Sequence, residues 1–131
     1  MKKSPVDLAH QLVAKAENDL SAAGIGLEHA APLDTVCFHI QQAAEKLLKA
    51  CLAANDIEYP FTHELRDLLD LSVPLYPFLQ EFQSVLPEYT EFAVRFRYDE
   101  LPWVTKEDAR RAFEVVARPR DRVRVVLKAD R

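Results

Sequence analysis

Between Val36 and Cys51 the apolar side chains Val36, Ile40, Ala44, Leu47, Leu48 and Cys51 recur at three- and four-residue steps, the period of one face of an α-helix. A second stripe runs along the same segment. His39, Gln42, Lys46 and Lys49 also follow one another at three- and four-residue steps, lining up an imidazole, an amide and two ammonium groups. A face of that composition reads as an anion-facing stripe.

The same periodicity marks the other elements. Ser4, Pro5 and Asp7 supply an N-cap, a first-turn proline and an acid for a first helix, whose stripe Ala9, Leu12, Val13, Ala16, Leu20 and Ala23 ends where Gly24 can stop it. Pro32 marks a loop and Asp34 is placed to cap the long second helix. Thr62 is placed to cap a short helix carrying Leu65, Leu68 and Leu69, and Pro74 and Pro77 break the chain after it. From Leu75 to Ala93 a helical period continues through Pro87, which predicts either a kinked helix or two short helices sharing a face. RFRYDELPW reads as a loop. Thr105 and Asp108 then form a capping-box-like start for a last helix with the stripe Ala109, Ala112, Phe113, Val116 and Ala117. Pro119 predicts a break or kink near Ala117 and Arg118, and the alternation in RVRVVL leaves a short strand as the alternative there. The pattern predicts a single all-α domain over residues 1–131, an up-and-down helical bundle of four to five helices.

Composition supports that fold class. Two glycines in 131 residues leave little of the turn chemistry that many short strands need. The net charge of −4 argues against a generally basic nucleic-acid binder, but it is uneven, with nine Lys and Arg against five Asp and Glu from Lys106 onward. Cys37 and Cys51 stand fourteen residues apart on one helix. At 1.5 Å per residue that is about 21 Å, too far for a disulfide, so they read as buried thiols of a reducing cytoplasm. No signal peptide and no run of about twenty apolar residues is visible, so neither export nor membrane insertion is expected.

The segment QQAAEKLLKA (Gln41 to Ala50), then THEL (Thr62 to Leu65) and an RY pair (Arg97 and Tyr98), with Asp19 and Leu20 upstream, resembles the HEPN domain of prokaryotes and higher eukaryotes. The resemblance covers nearly the whole chain. It implies a helical bundle, pairing into a homodimer, and a partner, a minimal nucleotidyltransferase of the kind that accompanies small HEPN proteins in toxin–antitoxin systems. Many HEPN domains are metal-independent ribonucleases with an arginine followed four to six residues later by a histidine. This chain lacks that spacing, because His10, His29, His39 and His63 all precede its first arginine, Arg66.

Gln42, Lys46, Lys49, His63, Arg97 and Tyr98 form the candidate site for nucleotide or RNA phosphate. Lysines offer point charges, an arginine a bidentate fork, and a tyrosine a hydrogen bond or a stacking face. Each also has an ordinary structural use: lysines solubilise a helix, His63 in the first turn of its helix fastens the Thr62 cap, and Gln42, Glu45, His63 and Arg97 tie the long helix to adjacent loops. No metal-like clustering, glycine-rich phosphate loop or nucleophile motif is present, and no cofactor is expected. The leading expectation is a non-catalytic HEPN-domain protein that binds phosphate weakly or acts with its partner. The alternatives are a ribonuclease with a displaced site, in which His63 moves the proton, and a purely structural helical dimerisation or interaction module.

Overall fold

The computed structural model describes residues 4–92 and 104–129, and the Arg97–Tyr98 pair and the RFRYDELPW segment lie outside the described residues. All described elements are helical: α1 (Pro5–Glu28), α2 (Leu33–Ala54), α3 (Leu65–Ser72), the 3₁₀ helices Pro77–Phe82 and Leu86–Thr90, and α4 (Lys106–Ala129). The chain is an all-α bundle. α1 packs along the length of α2, α4 lies against both, and α3 and the second 3₁₀ helix close the remaining side of α2.

α2 is the centre of the core. Val36, Cys37, Ile40, Ala43, Ala44, Leu47, Leu48, Ala50, Cys51, Leu52 and Ala53 are all buried, so apolar contact wraps most of its circumference. Between Val36 and Ala53 only Phe38, His39, Gln42, Lys46 and Lys49 are not buried. The polar stripe read from the sequence is therefore most of what α2 shows to solvent between Val36 and Ala53. Both cysteines are free, and burial pushes each thiol up to about 12, which keeps them as inert packing groups.

Several helix boundaries differ from the sequence reading, each for a physical reason. The Ser4 hydroxyl caps α1 by accepting the Asp7 N–H at 3.1 Å, as expected, but α1 does not stop at Gly24. Both glycines sit inside the helix, and at Gly26 an added Cβ would come within 2.8 Å of Val36 Cγ2 and 3.2 Å of Ala31 Cβ. Gly26 thus serves the close approach of α1 to the start of α2. The left-handed position that ends α1 is occupied by Ala30 (φ 55°), with the Ala31 N–H donating back to Gly26 O at 2.8 Å. Asp56 (φ 55°) ends α2 in the same way, with the Ile57 N–H donating to Leu52 O at 3.0 Å.

Asp34 lies one residue inside α2, where its carboxylate accepts the Thr35 N–H, so it favours the positive end of the helix without capping it. α3 begins at Leu65, three residues after Thr62. Its first N–H is satisfied from across the fold by the buried Thr90 hydroxyl at 3.0 Å, while Thr62 Oγ1 accepts only the Glu64 N–H. His63 consequently lies in the loop before α3. The region around Pro87 resolves into two short helices, as one of the two readings had it, wound as 3₁₀ turns.

α4 starts with the expected reciprocal cap, the Asp108 N–H to Thr105 Oγ1 at 3.1 Å and the Thr105 N–H to Asp108 Oδ2 at 3.0 Å. The backbone N–H of Thr105, and then its hydroxyl, hold the Asp108 carboxyl below its ordinary value. Of the break or kink expected near Pro119, the break is absent, as is the alternative strand: α4 runs as one helix to Ala129 with Pro119 inside it. A lost hydrogen bond and ring clash cost about 3 kcal/mol in an isolated helix. Val116, Val123 and Leu127, buried on both sides of Pro119, offset that cost by packing against the bundle. The ion pair from Arg124 Nε to Glu17 at 2.8 Å further fastens α4 to α1.

Candidate functional site

The polar stripe of α2 is organised by two buried carboxylates. Asp19 of α1 lies on that helix's apolar stripe, between Ala16 and Ala23, and its side chain is only 12 % exposed. His39 and Lys46, seven residues apart and therefore on one face of α2, both reach it: His39 Nδ1 stands 2.9 Å from Oδ1 and Lys46 Nζ donates to Oδ2 at 2.5 Å. A carboxylate removed from water in this way needs both the charge and the hydrogen bonds of its partners.

Glu45, 6 % exposed, is the second centre. Gln41 Nε2 donates to it at 3.1 Å from one turn earlier and Lys49 Nζ at 3.0 Å from one turn later. His63 Nδ1 lies 2.7 Å from Oε1, so the loop before α3 is tied to α2 through this carboxylate. Gln42 joins indirectly, its amide donating to Gln41 Oε1 at 2.7 Å. Burial alone would raise the Glu45 pKa; the bonds from His63, Lys49 and Gln41 together outweigh it and hold the carboxyl below its ordinary value. Lys49 Nζ also lies 5.3 Å from the ring centroid of Tyr59, a cation–π contact on the same loop.

Of the six residues proposed from the sequence, Gln42, Lys49 and His63 come together around Glu45. Lys46 belongs instead to the Asp19 cluster, and Arg97 and Tyr98 lie outside the described residues. The sequence reading left Asp19, His39, Gln41 and Tyr59 out of the site and gave Glu45 only a structural tie. A signal for two of them was present: an acid on an apolar stripe at Asp19, and Gln41 one turn before Glu45 within a buried helix. Each carboxylate is matched by one lysine, so neither ammonium is a bare charge awaiting a ligand. What the arrangement offers at its surface is an oriented imidazole, His63 being 67 % exposed, beside a held ammonium whose side chain is 16 % exposed.

A concavity of about 450 Å³ on another side, lined by Glu88, Glu91 and Asp108 against the single guanidinium of Arg111, is too acidic to attract phosphate. Among the described residues no three His, Cys, Asp or Glu side chains are gathered as metal ligands, and no helix is long and apolar enough to cross a membrane.

The family model of the HEPN domain matches residues 9–126. The chain belongs to the HEPN domain family. No curated protein and no solved structure matches the chain significantly. Membership in the HEPN family supports a nucleotide- or RNA-related function at the level of the family.

Proposed function

We propose that this protein is a non-catalytic HEPN-domain protein that binds nucleotide or RNA phosphate weakly on the Glu45 face of α2. It acts in the cytoplasm as a homodimer with a minimal nucleotidyltransferase partner in a toxin–antitoxin-like pair, the association that the family resemblance implies. The observation that carries the binding reading is the convergence of Lys49 and His63 on one buried carboxylate, which holds an ammonium and an imidazole side by side on α2. The same carboxylate explains weak binding, since it neutralises the lysine that phosphate would pair with. Gln42 and Lys46 flank this position along the stripe, and Arg97 and Tyr98 belong to the proposed set on the sequence alone.

Calorimetric titration of nucleoside triphosphates and short RNA at low salt tests this reading. Heats that shrink with added salt and in Lys49→Ala support a phosphate site. No heat from any ligand assigns the domain to protein–protein interaction alone.

One observation favours a second reading. An imidazole whose Nδ1 is held 2.7 Å from a buried carboxylate while its ring is largely exposed has the orientation of a general base. On that reading His63 moves a proton in RNA cleavage, and His63→Ala abolishes metal-independent cutting of single-stranded RNA. Cutting that survives the substitution removes His63 from any catalytic role.

A further inference from the structure

Phe61 is the most exposed large apolar side chain among the described residues, at 110 % of the reference exposure against 69 % for Val125, the next. A single exposed apolar residue is ordinary on a protein surface. The loop that carries this one is anchored on both sides of the ring. Before it, the Ile57 N–H donates to Leu52 O at 3.0 Å, Ile57 and Tyr59 pack against the core, and the Tyr59 ring lies 5.3 Å from Lys49 Nζ. After it, Thr62 Oγ1 accepts the Glu64 N–H at 3.0 Å and His63 is held on Glu45. The ring is therefore presented by a braced segment, with its conformational entropy partly removed before any ligand arrives.

Both anchors lead to the same place. Tyr59 rests against Lys49 and His63 against Glu45, and Lys49 and Glu45 are themselves bonded. The exposed Phe61 ring thus stands two residues before an imidazole and two after Tyr59, whose own ring rests against an ammonium. Glu58 and Glu64 are exposed on the same segment, so charge alone attracts an anion poorly here. A ligand that gains from this surface brings an aromatic plane as well as a phosphate.

We propose that Phe61 is a stacking platform for an unpaired nucleobase whose phosphate lies toward Lys49 and His63. The proposal rests on the phosphate reading above and deepens it: it makes Phe61 the residue that selects single strands, because the bases of a duplex present no free face. The shared chemistry, base plus phosphate, is found in a single-stranded oligonucleotide and in a free nucleotide.

The test measures fluorescence anisotropy of the full chain with three labelled probes: a short single-stranded RNA, a strand of equal phosphate count lacking bases, and an RNA duplex. ATP serves as competitor. Wild type is expected to prefer the base-bearing strand to the abasic strand and the duplex by about tenfold or more, the scale of one stacked base. Phe61→Ala erases that preference while leaving abasic binding and the melting temperature unchanged, and Phe61→Trp restores it. Competition by ATP at matched base concentration identifies a mononucleotide site; its failure identifies a strand. Equal binding of base-bearing and abasic strands, unaltered in Phe61→Ala, overturns the proposal and leaves the phosphate site standing. Binding of no probe overturns both. A Phe61→Ala chain that changes from dimer to monomer in sedimentation assigns the ring to a second copy and overturns the proposal as well.

Discussion

The Asp19 and Glu45 clusters are built from the same parts, a buried carboxylate, a lysine and a histidine, yet they hold different things. Asp19 joins two long helices, since its partners His39 and Lys46 both come from α2. Glu45 joins α2 to itself through Gln41 and Lys49, and to a loop through His63. The histidines mark the difference: His39 is 31 % exposed and His63 67 %. The lysines do not follow the histidines, since Lys46 of the Asp19 cluster is 25 % exposed and Lys49 16 %, but in the Asp19 cluster every partner is spent on holding α1 against α2. The same chemistry at the edge of a loop leaves one member facing solvent, where it can meet a ligand. Position in the fold, and not residue type, separates a clamp from a candidate site.

The largest expected effect breaks the clamp. Lys46→Met leaves Asp19 buried with one partner and is expected to cost about 2–3 kcal/mol in chemical denaturation. Lys49→Met leaves Glu45 with Gln41 and His63 and is expected to cost about half as much, so equal losses would erase the distinction between the clusters. Gly26→Ala attacks the helix junction on the Asp19 side. With Val36 Cγ2 only 2.8 Å from the new methyl, α1 and α2 must shift apart, at about 2 kcal/mol of stability.

Acid sharpens the contrast from the Glu45 side. Because the folded protein holds the Glu45 carboxyl below its ordinary value, its contribution is complete above the ordinary glutamate range and is lost as pH falls through the lowered folded value. Glu45→Gln is expected to be less stable than wild type at neutral pH, with the gap narrowing as the solution is acidified. A gap that widens with acid would contradict the sign of the shift. The smallest effect has the opposite direction: Ala30→Gly relieves a left-handed alanine at the end of α1 and is expected to add about 0.5–1 kcal/mol in thermal or chemical unfolding.

Much of the fold was legible because its determinants are local. The Ser4 cap, the Thr105 and Asp108 box, the α2 core stripe and the burial of both cysteines depend on residues within one or two turns of each other. The candidate site was legible only by half. Lys49 and His63 meet at Glu45, with Gln42 linked to it through Gln41, but the stripe did not tell that Lys46 turns to α1. The glycines misled for an instructive reason: Gly24 suggested a helix end but lies inside α1, Gly26 allows the close approach of α1 to α2, and the left-handed caps fell to Ala30 and Asp56.

By itself, then, the sequence determined an all-α chain, the approximate helices, the apolar and polar stripes of α2, and family membership through residues spread along its length. Tertiary structure alone decided that Thr90 caps α3 from 25 residues away, that packing carries α4 through Pro119, and that Asp19 and Glu45 divide one polar stripe into a clamp and an open face. The physical reason is range. Helical period and capping are written within a few residues, but the partner of a buried charge is whichever element the packed core brings beside it, and the cost of leaving that charge unpaired makes the fold supply one.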